Sequence, residues 1–376
     1  MLNKVQLIGF TGADVEIRNT TGGKKVAIQS VATSRYTKKD GDRKDYTTWH
    51  QVEIWNQGTV GWLDTRGLPK GSKVEFQIGL QGAIIVNNML AGKQHIGYVG
   101  DMPAIVATTK VETADVRILA SLGLGADQCN IFLVRTDAPK FADYKEALKW
   151  IDGKQVAVPK GSCSDRFAQA TFKKQGVNPK DFLNQNIEVI TSNFRAGKID
   201  AAVIWEPAAS RLVQEGLARR VASGVDLHEA DAGFLTARAD LIKQRPDVIK
   251  AWLNAELDAQ LFLADEKNAA EIVKLAKEQT TGFTENALWH ALYGTYGAQV
   301  GGSKTRLNLP FAVTPEARRL IDQSASFLFS IKSINVDKLR PDAVQTDLAD
   351  QLLKERKLKS PIGDVVALPE SQAPKS

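Results

Sequence analysis

Residues that cross-link small folds are scarce in this chain. Its 376 residues include two cysteines and four histidines. Cys129 and Cys163 stand 34 residues apart, with no Cys-x-x-Cys pair and no histidine beside them. This spacing predicts neither a disulfide framework nor a zinc site, because both are recognised by cysteines and histidines at short, regular intervals. The sequence therefore indicates a protein without metal ligands and without a cofactor.

Long apolar runs are missing as well. No stretch reaches the ~18 apolar residues that a membrane-spanning helix needs, so no membrane span is expected. The opening residues, MLNKVQLIGFTGADVEIR, lack the apolar core of a secretory signal peptide. The chain as written is therefore expected to be cytoplasmic.

Charge is distributed unevenly along a chain of otherwise ordinary globular composition. Hydrophobic residues make up 43% and charged residues 24%, and the net charge is +6. Residues 1–45 hold nine Lys and Arg against five Asp and Glu, whereas the rest of the chain is close to neutral. A basic surface of this kind suits contact with phosphates, although a solvated face without a partner gives the same pattern. Nucleic-acid binding is not expected beyond residue 45.

The N-terminal residues alternate apolar and polar side chains in short segments, as half-buried strands do. Gly22 and Gly23 are a turn signal, and residues 36–45 predict an exposed, basic hairpin tip. The expected strands span residues 3–9, 13–18 and 24–35. This start, together with the Trp-His segment TTWHQVEIW, resembles bacterial single-stranded DNA-binding proteins, which are OB-folds.

That resemblance implies a nucleic-acid surface made of aromatic rings and cations. Stacking of a base on a ring is worth roughly 1–3 kcal/mol and tolerates any base. The rings expected to stack on bases are Tyr36, Trp49 and Trp55. The cations expected to contact the phosphate backbone of the nucleic acid are Lys4, Arg18, Arg35 and Lys38. The same aromatics would also suit a protein core. An OB barrel needs a fifth strand, and only a fourth, KVEFQIG, is assigned, so weak binding of single-stranded DNA is expected.

Residues 46–78 fit two interpretations. In an OB-fold they supply a third strand, a short helix and a fourth strand. In the module that follows they supply a first βαβ unit, with a strand, a helix at 57–66 and a second strand at 73–78. The second interpretation is preferred because it leaves a complete large domain. It also places Trp49 and Gln51 at the carboxyl end of the first strand, where ligands of α/β sheets bind.

From Val74 onward, strand and helix patterns alternate at short spacing, which favours parallel sheets covered by helices on both faces. A strand is predicted for IEVITS and a short helix for residues 192–197. The segment GLQGAIIVNNMLAGKQHIGYVGDMPAI, with VAVPKGSCSDRFAQATF and GKIDAAVIWEPAASRLV, resembles the solute-binding components of ABC importers for nitrate, sulfonate or taurine. The resemblance implies an α/β, two-lobed, type II periplasmic-binding-protein-like fold, preceded by a partial OB-like β segment.

The domain organisation follows from these assignments. The chain is expected to cross between the lobes at residues 131–136 and 231–235. The predicted parts are a partial OB-fold segment at 1–45, a first lobe at 46–130 plus 236–360, a second lobe at 131–235, and a disordered, Pro- and Ser-rich tail at 361–376.

In such a fold the solute is expected in the cleft between the lobes. Where a strand ends and a helix begins, free N–H groups and the helix dipole favour an anion such as a sulfonate, nitrate or carboxylate. The candidate ligand-binding residues are Trp49, Gln51, Gln81, Gly82, Asp101, Met102, Gln128, Ser162, Cys163, Ser164, Trp205 and Glu206.

Several of these residues have a second interpretation. Asp101 fits a helix cap better than a ligand contact, and one of Ser162 and Ser164 is expected to be only a cap. Glu206 suits either a ligand amine or a salt bridge that closes the lobes. Cys163 has no histidine near it in sequence, so catalysis by its thiol is not expected.

The sequence thus predicts a non-enzymatic solute-binding protein that carries a fragment of a DNA-binding protein. Its ligand is expected to be a small anion or zwitterion of the sulfonate, taurine or nitrate class. The resemblance implies an ABC importer permease as partner and a periplasmic location, which conflicts with the lack of a signal peptide. The alternatives are single-stranded DNA binding through the N-terminal segment and, second, a pyrimidine-precursor synthase-like enzyme of the same fold.

Overall fold

Short alternating segments at the N-terminus and longer helical patterns after residue 80 fold into two units. The computed structural model describes residues 10–11, 13–20, 24–39, 42–54, 77 and 81–375. The chain divides into an N-terminal unit, Met1–Gly79, and a second unit, Leu80–Ser376. Several predictions lie outside the described residues: the strand at 3–9, the helix at 57–66, the strand at 73–78 apart from Gln77, Lys4 and Trp55.

The described residues of the N-terminal unit form four strands: β1 (Phe10–Thr11), β2 (Glu16–Asn19), β3 (Lys25–Lys39) and β4 (Asp42–Ile54). β3 pairs antiparallel with each of the other three. The β3–β4 ladder runs from Ala27 opposite Ile54 to Lys39 opposite Asp42. Most of the predicted hairpin tip at 36–45 is therefore paired strand.

This ladder corrects the predicted boundary at residue 46. Tyr46 stands opposite Arg35, and the pairing continues to Ile54, so residues 46–54 belong to the N-terminal unit. Without β4, one side of β3 would leave a row of backbone N–H and C=O groups unpaired. Ile54 also packs with Val15 and Ile17 against the buried Ala27. The structure places the boundary after residue 79.

The second unit contains two five-stranded sheets. Its strands in chain order are β5 (Ile96–Gly100), β6 (Val116–Gly125), β7 (Ile131–Arg135), β8 (Gln155–Val158), β9 (Asp181–Asn184), β10 (Ala201–Ile204), β11 (Ala218–Ser223), β12 (Asp231–Arg238), β13 (Thr305–Leu309) and β14 (Gly363–Val366). The first-lobe sheet has the order β14-β13-β6-β12-β5, and the second-lobe sheet has the order β11-β7-β10-β8-β9. The sequence analysis did not predict β9, β11, β13 or β14.

The expectation of parallel sheets is correct only for part of the second lobe. β8 pairs parallel with β9 and with β10, and a helix lies between successive strands there, as a parallel connection requires. The pairs of the first-lobe sheet are antiparallel, and so are those of β7 with β10 and β11. In the first lobe, β12 enters its sheet from the other lobe, after a short segment that includes the four-residue helix Gly224–Leu227.

Helices cover both sheets. In chain order they are α1 (Gly82–Leu90), α2 (Asp101–Thr109), α3 (Tyr144–Ile151), α4 (Cys163–Gln175), α5 (Ile187–Arg195), α6 (Ala208–Gln214), α7 (Gly224–Leu227), α8 (Ala239–Gln244), α9 (Pro246–Ala264), α10 (Ala269–Gln279), α11 (Glu285–Tyr293), α12 (Pro315–Ser330) and α13 (Asp347–Glu355). Within the described part of the chain, none of them has the length and apolarity needed to cross a membrane.

Helix α5 replaces the strand and short helix predicted across residues 187–197. Asn186 caps this helix, and the buried residues Ile187, Ile190 and Phe194 recur at intervals of three and four. That spacing puts them on one face of a helix, whereas the β-branched composition of IEVITS had suggested a strand. The helical period and the cap outweigh local strand propensity.

Two crossing segments connect the lobes. The first crossing, residues 126–130, joins β6 to β7, and the second crossing, residues 224–230, joins β11 to β12. The predicted crossings at 131–136 and 231–235 are therefore several residues too late. Residues 131–135 and 231–235 lie in strands, and their backbones are already paired within a sheet.

Strand β7 shows why the chain is already inside the second lobe at its first residue. Phe132 and Val134 pack into the core on one face of the sheet, and Ile131 and Leu133 pack into the core on the other. A strand buried on both faces reads as one continuous apolar run. The first-lobe sheet likewise has a core on each face.

The predicted disordered tail from residue 361 is wrong for the described residues. β14 pairs antiparallel with β13, and the side chains of Val365 and Leu368 are buried. The Leu368 N–H donates to the carbonyl of Tyr293 at 2.8 Å. Apolar residues in GDVVALP therefore bind the tail to the first lobe, despite its Pro- and Ser-rich composition.

Candidate functional site

The start of α4 is the predicted anion site, and its two serine hydroxyls bond to the backbone. The Ser162 Oγ accepts from the Asp165 N–H at 3.3 Å and donates to the Pro159 carbonyl at 2.6 Å. The Ser164 Oγ is buried and donates to the Cys129 carbonyl at 2.6 Å. Ser162 is the helix cap, as expected for one of the two serines. Neither hydroxyl proton is left for a ligand.

The first turn of α4 offers its backbone instead. Among the described residues, the N–H groups of Cys163 and Ser164 have no hydrogen-bond partner. The helix dipole adds partial positive charge at this end. Anion binding at this helix start stays a prediction.

Arg166 connects this turn to the first lobe. Its Nη2 lies 3.6 Å from Asp101 Oδ2 and donates to the Ala230 carbonyl at 2.7 Å, and its Nη1 lies 3.3 Å from Glu229 Oε2. The side chain is 6% exposed, and its Nε has no partner among the described residues. A role for Arg166 at this site was not predicted from the sequence. A cation one turn after a helix cap was the signal that would have identified it.

Asp101 and Met102 begin α2 on the first-lobe side. Both side chains are fully buried. Asp101 Oδ1 accepts from the Met102 N–H at 2.8 Å, and Oδ2 accepts from Ser324 Oγ at 2.8 Å. The predicted cap role of Asp101 is wrong, because Gly100 is the cap and Asp101 is the first residue of the helix. Its carboxylate faces Arg166 across the lobes. Ligand contact by either residue stays a prediction.

Gln81 and Gly82 begin α1, which packs beside α2. A Cβ at position 82 would lie 2.5 Å from Pro103 Cγ, so glycine permits the close approach of the two helix starts. The Gln81 carbonyl accepts from the Ile84 N–H at 3.0 Å. The structure brings these helix starts together, and their contact with a solute stays a prediction.

Cys129 and Cys163 form a disulfide, so the prediction made from their spacing is wrong. Their Cα atoms are 6.1 Å apart, within the range that a disulfide allows. The sequence did not show this because the two residues belong to different elements, the first crossing and the first residue of α4. The disulfide joins the crossing to the anion site and occupies the Cys163 thiol.

Asp231 opens β12 beside this disulfide and was not among the predicted residues. Its carboxylate oxygen and the two sulfur atoms lie within 4.8 Å of one another. The pKa of Asp231 is raised to about 8, first by burial and then by the charge of Asp101, whereas Arg166 and the Cys129 N–H oppose the rise. Among the described residues, Asp231 Oδ1 has no hydrogen-bond partner.

Glu206 reaches from the second lobe to the first. Its Oε2 and Oε1 accept from the N–H and the Oγ of Ser210, each at 3.0 Å. Arg306 Nη2, on β13 of the first lobe, lies 3.9 Å from Glu206 Oε1. Burial raises the pKa of Glu206, against the opposing charges of Arg306 and Arg220. This is the salt bridge between lobes that was one of its two predicted roles.

Glu206 belongs to a buried cluster of charged and aromatic residues that was not predicted from the sequence. The interlobe charge cluster consists of Asp127, Glu206, Arg220, Tyr296 and Arg306. Asp127 Oδ2 pairs with Arg220 Nη2 at 3.2 Å and with Arg306 Nη1. The Tyr296 ring centre lies 4.2 Å from the Arg220 guanidinium, and burial raises the pKa of Tyr296 to about 12. Arginines inside short strands with buried neighbours, ARRVAS and TRLNL, were the available signal.

Gln128 and Trp205 take positions next to this cluster. The Gln128 carbonyl, in the first crossing, accepts from the Glu206 N–H at 2.8 Å, and Gln128 Nε2 donates to the Ala291 carbonyl at 3.2 Å. Trp205 is partly buried against the second-lobe core. Gln128 therefore supports the junction of the lobes, whereas Trp205 packs within the second lobe. Ligand binding by either residue stays a prediction.

The described N-terminal candidates lie on β2, β3 and β4. Arg18 is exposed, with its Nε 2.7 Å from Glu16 Oε1. The register pairs of the other candidates are Arg35 with Tyr46, Tyr36 with Asp45, Lys38 with Arg43, Trp49 with Ala32, and Gln51 with Ser30. Trp49 and Gln51 thus lie in the N-terminal unit. The argument that placed them in a solute cleft required a first lobe beginning at residue 46, and that boundary is corrected.

Solved structures identify the architecture of the second unit as a type II periplasmic-binding-protein fold. The aliphatic sulphonate binding protein of Escherichia coli has a TM-score of 0.56 at 19% identity, with 71% of this chain and 85% of that chain covered. The desulfurization enzyme DszB, solved with biphenyl-2-sulfinic acid, has a TM-score of 0.57 at 17% identity, with 79% and 94% covered. These likenesses show a fold that binding proteins share with an enzyme.

The NMT1-like family matches residues 56–277, more than half of the chain, and the chain belongs to that family. The single-strand binding protein family matches residues 2–88, so the N-terminal resemblance is confirmed as well. The two matches overlap at residues 56–88. That overlap includes much of the stretch that the sequence assigned to either module.

Two relatives represent the two modules. The taurine-binding periplasmic protein of Escherichia coli is 26% identical over 217 residues, which are 55% of this chain and 65% of the relative. The single-stranded DNA-binding protein of Rickettsia felis is 46% identical over 83 residues, which are 21% of this chain and 53% of the relative. This chain thus spans about two thirds of the first relative and about half of the second.

Proposed function

We propose that the second unit binds a small sulfonate-type anion or zwitterion between its lobes for delivery to an ABC importer. The observation that carries this proposal is the first turn of α4. There the N–H groups of Cys163 and Ser164 have no hydrogen-bond partner among the described residues, and Arg166, three residues or fewer along the same helix, reaches Asp101 of the other lobe. Oxyanions accept hydrogen bonds from such donors. The taurine-binding relative and the sulphonate-binding fold neighbour support the ligand class.

The acids around Arg166 favour a zwitterion over a simple anion. Asp101 and Glu229 lie within 3.6 Å of its guanidinium. Asp231 interacts electrostatically with both Asp101 and Arg166. A lone anion adds to this negative charge, whereas a ligand ammonium group lowers the repulsion. The proposed order of affinity is taurine, then isethionate, then nitrate.

Calorimetric titration of the full-length protein with these three solutes tests the proposal. Taurine and isethionate differ only in an ammonium group in place of a hydroxyl, and we expect taurine to bind at least about tenfold more tightly, or about 1.4 kcal/mol. A hundredfold excess of taurine over its Kd should also stabilise the protein by about 2.7 kcal/mol. No heat with any of the three solutes contradicts the proposal.

Substitution of Arg166 locates the site. Arg166→Lys keeps the charge and loses the planar fork that grips an oxyanion, so taurine binding should weaken. The matched control is Arg319→Lys, on the exposed face of α12, where affinity should not change. Ser162→Ala with Ser164→Ala should weaken binding less, because both hydroxyls already donate to backbone carbonyls. Equal taurine affinity in wild type and Arg166→Lys excludes Arg166 from the site.

A second function, loose binding of single-stranded DNA, is proposed for the N-terminal unit. The 46% identity to the Rickettsia felis protein and the long β3–β4 ladder favour it. Oligo-dT should bind with a log–log salt slope near −0.7 per phosphate contact and with little quenching of Trp49 and Trp55. Tight binding at physiological salt that Trp49→Ala abolishes would show a working stacking surface instead.

The pyrimidine-precursor synthase-like alternative has no observation of this kind in its favour. The cysteine at the start of α4 is joined to Cys129, so its thiolate is not available as a nucleophile. Assay of the purified, unreduced protein for turnover of its bound solute would decide against the binding role if product formed.

A further inference from the structure

The chain's two cysteines and Asp231 form a compact set of metal donors. Cys129 Sγ, Cys163 Sγ and a carboxylate oxygen of Asp231 all lie within 4.8 Å of one another. They come from the first crossing, the start of α4 and the start of β12, so the fold rather than the local sequence assembles them. In a tetrahedral zinc site the bonds are about 2.0–2.3 Å, so the ligand atoms lie roughly 3–4 Å apart. Small side-chain movements would bring these three atoms to that spacing.

The surroundings of the three donors suit a cation. Asp231 Oδ1 is buried and has no hydrogen-bond partner among the described residues, so an acceptor there is unused. The Cys129 N–H favours the charged form of this carboxylate. The Ser164 Oγ, which lies 3.6 Å from Cys129 Sγ, donates to the Cys129 carbonyl and so holds the backbone of that residue in place. Groups of this type orient metal ligands and tune their basicity.

Charge also balances at this place. Two thiolates and the Asp231 carboxylate carry three negative charges, and a divalent metal neutralises two of them. The Arg166 guanidinium, which interacts with Asp231, opposes the third. Asp101 and Asp127 add negative charge nearby, but Asp127 is paired with two arginines. The site therefore favours a divalent cation over a second anion.

We propose that the reduced protein binds one Zn²⁺ through Cys129, Cys163 and Asp231, and that the disulfide closes this site. A dithiol reductant supplies two electrons and two protons, the S–S bond breaks, and the reductant becomes its own disulfide. Zinc then displaces both thiol protons, and any proton on the Asp231 carboxyl, into the buffer, because these ligands bind a metal in their deprotonated forms. With three protein ligands, the fourth position of the tetrahedron is open to water or an added anion. This proposal does not depend on solute binding.

Metal titration of the tag-free, full-length protein tests the proposal. After reduction and removal of the reductant under anaerobic conditions, Co²⁺ should bind at about one equivalent and give thiolate-to-metal charge-transfer absorption, and Zn²⁺ should displace it. The unreduced protein should give no such absorption. Because the chain has two cysteines, any thiolate band reports on this pair. Absence of stoichiometric binding to the reduced protein overturns the site.

Substitution separates the three ligands. Asp231→Asn keeps the shape of the side chain and both thiols, and should weaken Zn²⁺ binding by at least about tenfold. The control is Asp322→Asn on the exposed face of α12, which should leave affinity unchanged. Cys129→Ser, checked for folding by circular dichroism, should lose the Co²⁺ charge-transfer band. Equal affinity in wild type and Asp231→Asn removes Asp231 from the site, and the proposal fails in that form.

Discussion

The N-terminal unit and the second unit build their sheets in opposite ways. In the N-terminal unit the described strands pair antiparallel with one 15-residue strand, β3, and Ala27 is the buried residue at the centre of the described apolar cluster. In the second unit the longest strand has 10 residues, and each sheet has a packed core on both faces. Stability should therefore depend on backbone pairing in the first case and on buried side chains in the second.

Removal of a buried apolar side chain should give the largest difference in lost stability between the two units. Phe132→Ala empties a fully buried position in the second lobe and should lower the free energy of unfolding by about 3–5 kcal/mol. Ile17→Ala, at a partly buried position of β2, should cost about 1 kcal/mol. Urea unfolding followed by circular dichroism measures both. Equal losses would contradict the comparison.

Buried and exposed arginines should differ in the same direction. Arg306→Met leaves Asp127 and Glu206 with less compensation inside the protein and should cost about 3–5 kcal/mol. Arg18→Met in the N-terminal unit removes an exposed pair with Glu16 and should change stability by less than about 1 kcal/mol. Thermal unfolding of the two variants measures both losses of stability. A larger loss of stability in Arg18→Met than in Arg306→Met would contradict this prediction.

Reduction of the disulfide should destabilise the second unit alone. Cys129 and Cys163 close a loop of 34 residues, and constraint of the unfolded chain by such a loop is worth about 2–4 kcal/mol. Calorimetric scans with a chelator and with or without reductant should show one transition shifted downward. A shift in the N-terminal transition, which involves no cysteine, would be unexpected.

The pH dependence of stability should have opposite signs at Glu206 and Glu16. The pKa of Glu206 is raised above its ordinary value of 4.5. The contribution of this group to folding stability is therefore full when the pH is below the ordinary pKa, and it is lost as the pH rises through the raised pKa. Glu206→Gln should therefore gain stability relative to wild type with rising pH. Arg18 lowers the pKa of Glu16, so Glu16→Gln should lose relative stability as pH rises through the ordinary value. Chemical unfolding at several pH values measures both trends. A change of relative stability with pH in the same direction for both variants would contradict this prediction.

Most helices of the second unit could be predicted from sequence, because they carry their own boundaries, whereas β9, β11, β13 and β14 were not predicted. Helix α12 begins at Pro315 after a Thr314 cap, and α4 begins after Ser162 and ends before Gly176, whose φ is positive. The N-terminal unit was harder, because a strand has no such caps and TTWHQVEIW pairs equally well in either module. Only the register with β3 decides its place.

The candidate site was predicted in part, for a related reason. A helix start with glycine and serine is visible in the chain, so Ser162, Cys163 and Ser164 were found. Arg166, Asp231 and the partner of Cys129 were not, because their significance depends on neighbours from distant segments. The same holds for Arg220 and Arg306, whose buried partner Asp127 lies in the first crossing.

The central claim is that a sulfonate-type solute binds the first turn of α4 at the junction of the lobes. Amide hydrogen exchange, followed by nuclear magnetic resonance with and without taurine, tests it most directly. The account predicts slower exchange of the Cys163 and Ser164 N–H groups with taurine bound, since these donors have no partner among the described residues of the free protein. It predicts no change at Arg18 or Asn19 in the N-terminal unit. Unchanged exchange at Cys163 and Ser164 with taurine at saturation would contradict it.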